Sequence, residues 1–359
     1  MKELDNNTID VILQQPAFWC ETGPYQDVVL SSNIRVVRNI YSVSFPRRQD
    51  ENEADYITQI GRQFAGESAL AENSLFLSLD ELTYSNRRLL KERDIITDDS
   101  NSNLRQSVIA GADCEYIIIL NNEDHFNIVV NRPGLQIDEA YKTADRIDDE
   151  LNRYAVYAYS ENLGYVTSGP SKLGTGLTVS TILHLPVISL SKKIYAVFEA
   201  AGKNGLVLSG ADSEDRKVTG SIYRLSNRDS IGITEPDIIK LVEEATHKII
   251  EIECAERDIY QLDYQNQLED KIFRSYGLLK YARSIDYAEA VNCLSDLRLG
   301  IIISLIRNYS FPEINGLLIN CRGSHLQKIA GRIFTDDSEC NIFRASYLRD
   351  QLERSTIYG

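Results

Sequence analysis

Two short apolar runs flank a polar pentapeptide in the first half of the chain. Residues Tyr116–Leu120 and Phe126–Val130 are rich in β-branched and aromatic side chains, and Asn121 to His125 lie between them. Such runs on either side of a polar turn predict an antiparallel pair of strands. Glu123 would then stand at the tip of that pair. The shorter runs Leu206–Leu208 and Ile222–Leu225 predict further strands.

Helical periodicity appears between and after these strands. Residues Ile137–Tyr154 carry apolar side chains at helical spacing and should pack over the sheet. Thr234 with Asp237, and Asp286 with Glu289, have the spacing of helix-capping residues, and the pattern after Thr234 is helical nearly to the end. The sequence therefore predicts an α+β domain over residues 1–255 and a helical domain over residues 256–359.

Composition excludes several classes of protein. The chain has 359 residues and a formal net charge of −15, which argues against direct nucleic-acid binding. Its six cysteines lie without Cys-x-x-Cys pairs and its four histidines do not cluster near them, so we expect neither a metal site nor a disulfide framework. No signal peptide and no apolar run of about 18 residues are found, so we expect a cytoplasmic protein that does not span a membrane.

Six motifs in order connect the chain to a known family. They are Val-Val-Leu-Ser-Ser-Asn-Ile-Arg at 28–35, Asn-Asn-Glu-Asp-His at 121–125, Pro-Gly-Leu-Gln at 133–136, Gly-Pro-Ser-Lys-Leu-Gly-Thr-Gly-Leu at 169–177, Leu-Glu-Asp-Lys-Ile-Phe-Arg-Ser-Tyr-Gly at 268–277 and Leu-Ser-Asp-Leu-Arg-Leu-Gly at 294–300. Together they resemble the phosphagen (guanidino) kinase superfamily, and the last two resemble its bacterial protein-arginine kinase branch, McsB. The resemblance implies a curved antiparallel sheet flanked by helices, followed by an all-helical C-terminal domain.

The resemblance also implies a nucleotide site that this chain has largely lost. Family members hold the ATP phosphates with five arginines, whose planar guanidinium groups bind phosphate oxygens bidentately. Only Arg35 remains of the five. The other four positions hold neutral residues, Asn33, Asn127, Thr178 and Ser209, while Asp94 replaces a histidine of the nucleotide pocket and Gly169 replaces a reactive cysteine.

The substrate side of the implied site is retained. Two family glutamates grip the substrate guanidinium, and one of them can act as a base. They correspond to Glu123 and Glu214, both present in this chain. Two structural explanations stay open, because Glu123 could serve only as a cap or ion-pair partner and Arg35 could simply cover the sheet.

We therefore hypothesise a pseudokinase, a catalytically impaired or inactive protein-arginine kinase homologue acting as a binding or regulatory scaffold. An arginine finger is worth about 10³ to 10⁵ in the rate of phosphoryl transfer, so no fast kinase and no tightly bound nucleotide are expected. The alternative is an active ATP-dependent protein-arginine kinase that binds Mg-ATP through other cations, for which the candidates are Lys172, Lys203, Arg216 and Lys217.

The C-terminal domain departs from the family as well. Protein-arginine kinases carry Arg-Asp-x-x-Arg-Ala there, linked to phosphoarginine sensing, whereas residues 340–345 match only at Arg344 and Ala345. We therefore expect a dimerisation or partner-binding unit in place of an allosteric phosphoarginine site. The resemblance implies a homodimer and protein partners such as an activator or a Clp-type chaperone-protease system.

Overall fold

The computed structural model describes residues 21–93, 95–96, 105–111, 114–211 and 218–357. Its centre is an eight-stranded sheet in which every neighbouring pair is antiparallel, with the order β2-β3-β4-β5-β1-β8-β10-β9. The strands are β1 (Val29–Arg38), β2 (Leu75–Ser78), β3 (Ser107–Ala110), β4 (Tyr116–Leu120), β5 (Phe126–Pro133), β8 (Leu177–His184), β9 (Leu206–Gly210) and β10 (Ile222–Asn227). A separate small hairpin consists of β6 (Tyr159–Ser160) and β7 (Gly164–Tyr165).

Some helices lie between the strands in sequence and flank the sheet, and the helices after the last strand form a separate helical region. Those between the strands are α1 (Glu51–Glu67), α2 (Tyr84–Glu92), α3 (Ile137–Leu151), α4 (Pro186–Leu190) and α5 (Ile194–Lys203). Those after the last strand are α6 (Glu235–Asp263), α7 (Gln265–Tyr281), α8 (Tyr287–Ile302), α9 (Phe311–Asn320), α10 (Gly323–Ala330) and α11 (Asp337–Ile357). The predicted fold class, an antiparallel sheet flanked by helices with a helical C-terminal region, is confirmed.

The two faces of the sheet differ in chemistry. One face buries alternate residues such as Ile34, Ile128 and Val179 against α1, α3, α5 and α6. On the opposite face, the end formed by β2, β3 and β4 is covered by an apolar cluster that includes Val129 and Leu90. The period of two along each strand sends neighbouring side chains to opposite faces, so the middle of this second face carries the polar residues of β1, β8 and β10.

The main sequence-predicted elements are present. Strands β4 and β5 pair antiparallel with Leu120 opposite Phe126, and β9 and β10 include the two shorter runs. Thr234 and Asp286 cap α6 and α8, each accepting a hydrogen bond from the backbone three residues on. Helix α3 ends at Leu151 and not at the predicted Tyr154, because the amides of Arg153 and Tyr154 bond only three residues back, in tight turns.

The helical region has a core of its own. Residues of α7, α8, α9 and α11, including Ile272, Leu294 and Leu348, form a cluster distinct from the core under the sheet. The predicted boundary between residues 255 and 256 lies inside α6, which runs unbroken from Glu235 to Asp263. The division into domains therefore stays a prediction.

Buried polar contacts join the helical region to the sheet-bearing part. Arg298 on α8 is fully buried and donates to the Asp27 carbonyl at 3.0 Å and to Nδ1 of His184 at 2.8 Å. Glu92 at the end of α2 accepts from the backbone amides of Ser324 and His325 at 3.0 and 3.2 Å. These contacts fix α8 and α10 against the first part of the chain. Across the described ranges, no helix is both long and apolar enough to span a bilayer.

Candidate functional site

The turn between β4 and β5 is fastened by the residues next to Glu123. Oδ1 of Asp124 accepts from the Asn39 side chain and from the Ser168 backbone amide, both at 2.7 Å. The ring of His125 accepts from the Ile40 amide at Nδ1 at 2.9 Å, so Nε2 is left to donate to the Ser44 carbonyl at 2.8 Å. Burial lowers the pKa of His125 and favours this neutral form. Asp124 and His125 thus hold the turn that presents Glu123.

Glu123 is engaged by a lysine from the same chain. Nζ of Lys172 lies 2.6 Å from Oε2 of Glu123, with side chains that are 22% and 41% exposed respectively. The hydrogen bond from Lys172 is the main cause that holds the pKa of Glu123 below its ordinary value, and the charges of Arg35 and Arg47 lower it further. Glu123 is therefore an ionised, half-buried carboxylate in contact with one ammonium group and within the electrostatic influence of Arg35 and Arg47.

The loop that carries Lys172 is held from both sides. The Ser168 hydroxyl donates to the Glu123 carbonyl at 2.5 Å, which joins this loop to the β4–β5 turn. Pro170–Lys172 forms a 3₁₀ turn, and Ser230 donates through its backbone amide to the Ser171 carbonyl at 3.0 Å and through its hydroxyl to the Leu173 carbonyl at 2.9 Å. Hydrogen bonds therefore hold the backbone of the loop that places Lys172 beside Glu123.

All five positions implied for phosphate arginines face the same side of the sheet. Asn33 and Arg35 lie two residues apart on β1, with Arg35 opposite Thr178 on β8. Asn127 on β5 lies opposite Val37, which shares the face of Arg35. Ser209 on β9 lies opposite Arg224 on β10 and faces away from its buried neighbour Leu208. The sequence-predicted set is thus brought together on one polar face, here called the sheet face.

Asn33 is hydrogen-bonded to polar side chains of the neighbouring strands on this face. Nδ2 of Asn33 donates to Oδ1 of Asn131 at 2.5 Å, and the Ser180 hydroxyl lies 3.5 Å from Oδ1 of Asn33. Nη1 of Arg224 in turn lies 3.4 Å from the Ser180 hydroxyl. Polar side chains from four adjacent strands thus form one hydrogen-bonded row where the first family arginine would stand.

Among the uncharged residues at the implied positions, Asn127 differs from the others because it is buried. Its side chain is 2% exposed, and among the described residues its amide oxygen has no hydrogen-bond partner. An unsatisfied buried polar atom costs free energy. The amide of Asn127 is therefore shielded from solvent and is not available to a ligand without local movement.

Several predicted residues lie outside the described ranges. Glu214 and Asp94 are among them, as are the candidate substitute cations Arg216 and Lys217. Of the other two candidates, Lys172 pairs with Glu123 and Lys203 with Glu199 on α5 at 2.6 Å. Lys172 and Lys203 therefore each form an ion pair with a carboxylate of the same chain.

Arg224 is a cation of the sheet face that sequence reasoning did not single out. It alternates with the buried residues Tyr223 and Leu225 on β10, so its side chain faces away from the core. That alternation was the available signal, because the run Ile222–Leu225 was predicted as a strand. Its pairing with Ser209 depends on strand order, which the sequence does not reveal.

Arg344, the retained arginine of the C-terminal string, is used internally. Its guanidinium is buried and donates to the carbonyls of Cys321 and Ile285 at 2.8 and 3.0 Å and to the Asn341 side chain at 2.5 Å. Its remaining amino group lies 3.3 Å from the Cys340 sulfur. This guanidinium is therefore occupied by internal acceptors. Among the residues that the structure describes, no three His, Cys, Asp or Glu side chains are grouped to hold a metal ion.

Comparisons with known proteins match the chain along most of its length. The family model described as ATP:guanido phosphotransferase, C-terminal catalytic domain, matches residues 55–256, and that for the protein-arginine kinase McsB C-terminal domain matches residues 265–357. Protein-arginine kinase of Geobacillus sp. (strain WCH70) is 34% identical over 345 residues, covering 94% of this chain and 95% of that protein. Protein-arginine kinase of Geobacillus stearothermophilus is 35% identical over 343 residues, covering 95% and 94%.

Solved structures share the fold. The substrate-free duplicated taurocyamine kinase from Schistosoma mansoni superposes with a TM-score of 0.58 at 20% identity, covering 67% of this chain and 35% of that one. Lombricine kinase superposes with a TM-score of 0.57 at 21% identity, covering 64% and 66%. The present chain thus spans about a third of the duplicated enzyme and about two thirds of lombricine kinase.

Proposed function

This chain belongs to the ATP:guanido phosphotransferase family, in its protein-arginine kinase branch, and we propose that it is a pseudokinase. The membership confirms the resemblance inferred from the motifs. In the proposed function the chain binds partners or ligands as a regulatory scaffold and does not transfer phosphate at the rate of its relatives. The observation that carries the proposal is that uncharged side chains occupy four of the five implied positions on the sheet face, where Asn33 is hydrogen-bonded to Asn131.

The side chains of the sheet face do not fit a nucleotide triphosphate. At the five family positions, one guanidinium remains at Arg35, and the replacements offer amides and hydroxyls that carry no charge. Charge-assisted hydrogen bonds are roughly twice as strong as neutral ones. Asn127 is buried and so does not present its amide to a ligand on this face. We therefore expect weak Mg-ATP binding at best and assign no reaction step to the nucleotide.

Loss of these arginines should affect the rate even more than binding. Phosphoryl transfer depends on positioning and on stabilising charge that develops on the transferred group. One arginine finger supplies about 10³ to 10⁵ in rate, although groups that act together do not contribute additively. Losing four of five arginines therefore predicts a rate far below that of the protein-arginine kinases.

A second candidate function is favoured by one observation. Arg224 brings a guanidinium to the sheet face beside Ser180, next to the position of Asn33. In an active ATP-dependent protein-arginine kinase, Arg224 would act as the substitute cation with Arg35. Two guanidinium groups would then stand where relatives use five, so this alternative predicts a slow enzyme that requires Mg-ATP.

A scaffold protein acts by binding other proteins, so the proposal includes protein partners and a cellular location. Exposed apolar side chains on α6 and α7, among them Leu262 and Tyr281 at 83% and 74% exposure, support a protein-binding surface on the helical region. We propose a homodimer, with an activator or a Clp-type chaperone-protease system as further partner. We further propose a cytoplasmic location and no nucleic-acid partner, in keeping with the net charge of −15.

An assay for phosphoarginine tests the proposal. The purified chain and an arginine-containing protein substrate are incubated with Mg-ATP and examined by mass spectrometry, with the Geobacillus stearothermophilus protein-arginine kinase as positive control. We expect no phosphoarginine above the enzyme-free background under conditions in which the control modifies its substrate. Turnover that disappears in the Arg224→Gln variant would establish the second candidate instead.

A further inference from the structure

Lys172 stands where a substrate guanidinium would approach Glu123. We infer that Lys172 is a specificity-determining residue, which makes the Glu123 site reject an unmodified arginine side chain and accept an N-phosphorylated guanidino group. The inference rests on the proposed function, because it treats the site as one that binds without transferring phosphate. It concerns only the ligand that the site selects.

Lys172 forms a short ion pair with Glu123. Its Nζ lies 2.6 Å from Oε2 of Glu123, and the side chain is only 22% exposed although it begins on a surface turn. The backbone on either side is fixed, since Ser168 bonds to the β4–β5 turn and Ser230 bonds to Ser171 and Leu173. The ammonium is therefore preorganised against Glu123, and a ligand that enters between them has to displace the lysine side chain by side-chain rotation alone.

An unmodified arginine side chain meets two obstacles at this site. It must compete with an intramolecular cation for Glu123, and once bound its guanidinium would lie beside the Lys172 ammonium. Like charges at such separations repel strongly in a partly desolvated site. The surrounding charges of Arg35 and Arg47, which act on the same carboxylate, add to this repulsion.

An N-phosphorylated guanidino group removes both obstacles. Its phosphoryl oxygens can accept from the Lys172 ammonium, while its guanidino N–H groups can donate to Glu123. The ligand thus enters between the two charges and keeps each of them paired. The same positive surroundings that repel arginine then favour the phosphoryl group.

The inference is tested by calorimetric titration with free phosphoarginine and with free arginine, in the absence of nucleotide. We expect the parent chain to bind phosphoarginine at least tenfold more tightly than arginine. Lys172→Gln keeps a hydrogen-bonding side chain without the charge, and we expect it to reduce this ratio at least tenfold. Lys142→Gln removes the charge of a lysine paired with Glu139 on α3 and should leave the ratio unchanged.

Three outcomes would overturn the inference. They are equal or tighter binding of arginine by the parent chain, no binding of either ligand, and an unchanged ratio in a folded Lys172→Gln variant. A thermal melt of each variant establishes that it is folded, and Lys172→Ala provides a second charge-free replacement if Lys172→Gln is not. Because no nucleotide is present, the result is independent of the phosphoarginine assay, so failure of the inference and failure of the proposed function are distinguished.

Discussion

Nδ2 of Asn33 donates a hydrogen bond to Oδ1 of Asn131 on the neighbouring strand, at 2.5 Å. The two side chains face each other across β1 and β5, and Ser180 on β8 extends the contact toward Arg224. An arginine at position 33 would break this row. The uncharged side chain at position 33 is thus part of a local hydrogen-bond network.

Restoring arginines on the sheet face should restore nucleotide affinity. We predict that the triple variant Asn33→Arg, Thr178→Arg, Ser209→Arg binds Mg-ATP at least tenfold more tightly than the parent, because each change adds a guanidinium to the face that carries Arg35. Asn127 is left unchanged because it is buried. Calorimetric titration measures the affinities.

The control for this prediction has glutamine at the same three positions. It adds comparable side-chain length without charge and should bind no better than the parent. Equal gains in the arginine and glutamine variants would mean that charge on the sheet face does not limit nucleotide binding.

Two glycines of the same loop should respond oppositely to alanine. A Cβ at Gly169 would meet no heavy atom within 4 Å, and the φ angle of −105° suits any residue. A Cβ at Gly176 would lie 2.6 Å from the Val37 carbonyl, and its φ of +66° disfavours other side chains. We predict that Gly169→Ala changes the free energy of unfolding by less than about 0.5 kcal/mol and Gly176→Ala lowers it by about 2 kcal/mol.

Chemical denaturation of both glycine variants gives these free energies. If Gly169→Ala were the more damaging change, the loop geometry around Lys172 would be wrong. Gly169→Cys should be tolerated as well, so the missing cysteine at this position does not reflect a lack of space.

Glu253 should give the stability a characteristic pH dependence. Its carboxyl group is buried on α6 and accepts from the amides of Val187 and Ile188 at 3.0 and 2.9 Å. Burial raises its pKa from 4.5 to about 7. A raised folded-state pKa means that the folded chain keeps a proton that the unfolded chain releases, so the contribution is fully present below pH 4.5 and is lost as pH rises through 7.

The variant Glu253→Gln isolates this contribution, because its amide resembles the protonated carboxyl group and does not titrate. We predict that the stability of the parent relative to this variant falls by up to about 3 kcal/mol between pH 4.5 and pH 7. Urea denaturation at a series of pH values measures the difference. A difference that stayed constant or grew with pH would contradict the raised pKa.

Arg344 should matter for stability. Removing its guanidinium in Arg344→Ala leaves the buried acceptors on Cys321, Ile285 and Asn341 unpaired, so we predict a loss of about 3 kcal/mol in the free energy of unfolding. Arg283 is exposed on the segment before α8, and Arg283→Ala should cost less than about 0.5 kcal/mol. Similar melting temperatures for the two variants would contradict a structural role for Arg344.

The sequence predicted those parts of the fold that local patterns encode. Apolar β-branched runs on either side of a polar turn predicted β4, β5 and the tip position of Glu123, and capping residues predicted the starts of α6 and α8. The resemblance implied five arginine positions, but no strand was predicted at β1, so the common face of Asn33 and Arg35 emerged only from the structure. The common face of all five positions needed strand order, which depends on contacts between distant segments.

The contacts that decide the chemistry could not be derived from sequence. Lys172 was considered as a phosphate cation, yet it lies on Glu123, 49 residues away in the chain. This pairing depends on Ser230 and Asp124, which fix the intervening loop from other parts of the fold. Arg224 reaches the row of Asn33 only because β8 lies between β1 and β10.

Titration of the parent chain with Mg-ATP in a calorimeter tests the central claim most directly, since the claim is that the phosphate site has lost its charge. The account predicts no heat of binding at nucleotide concentrations that saturate the Geobacillus stearothermophilus relative measured alongside. Saturable binding of Mg-ATP by the parent with an affinity similar to that of the relative would contradict it.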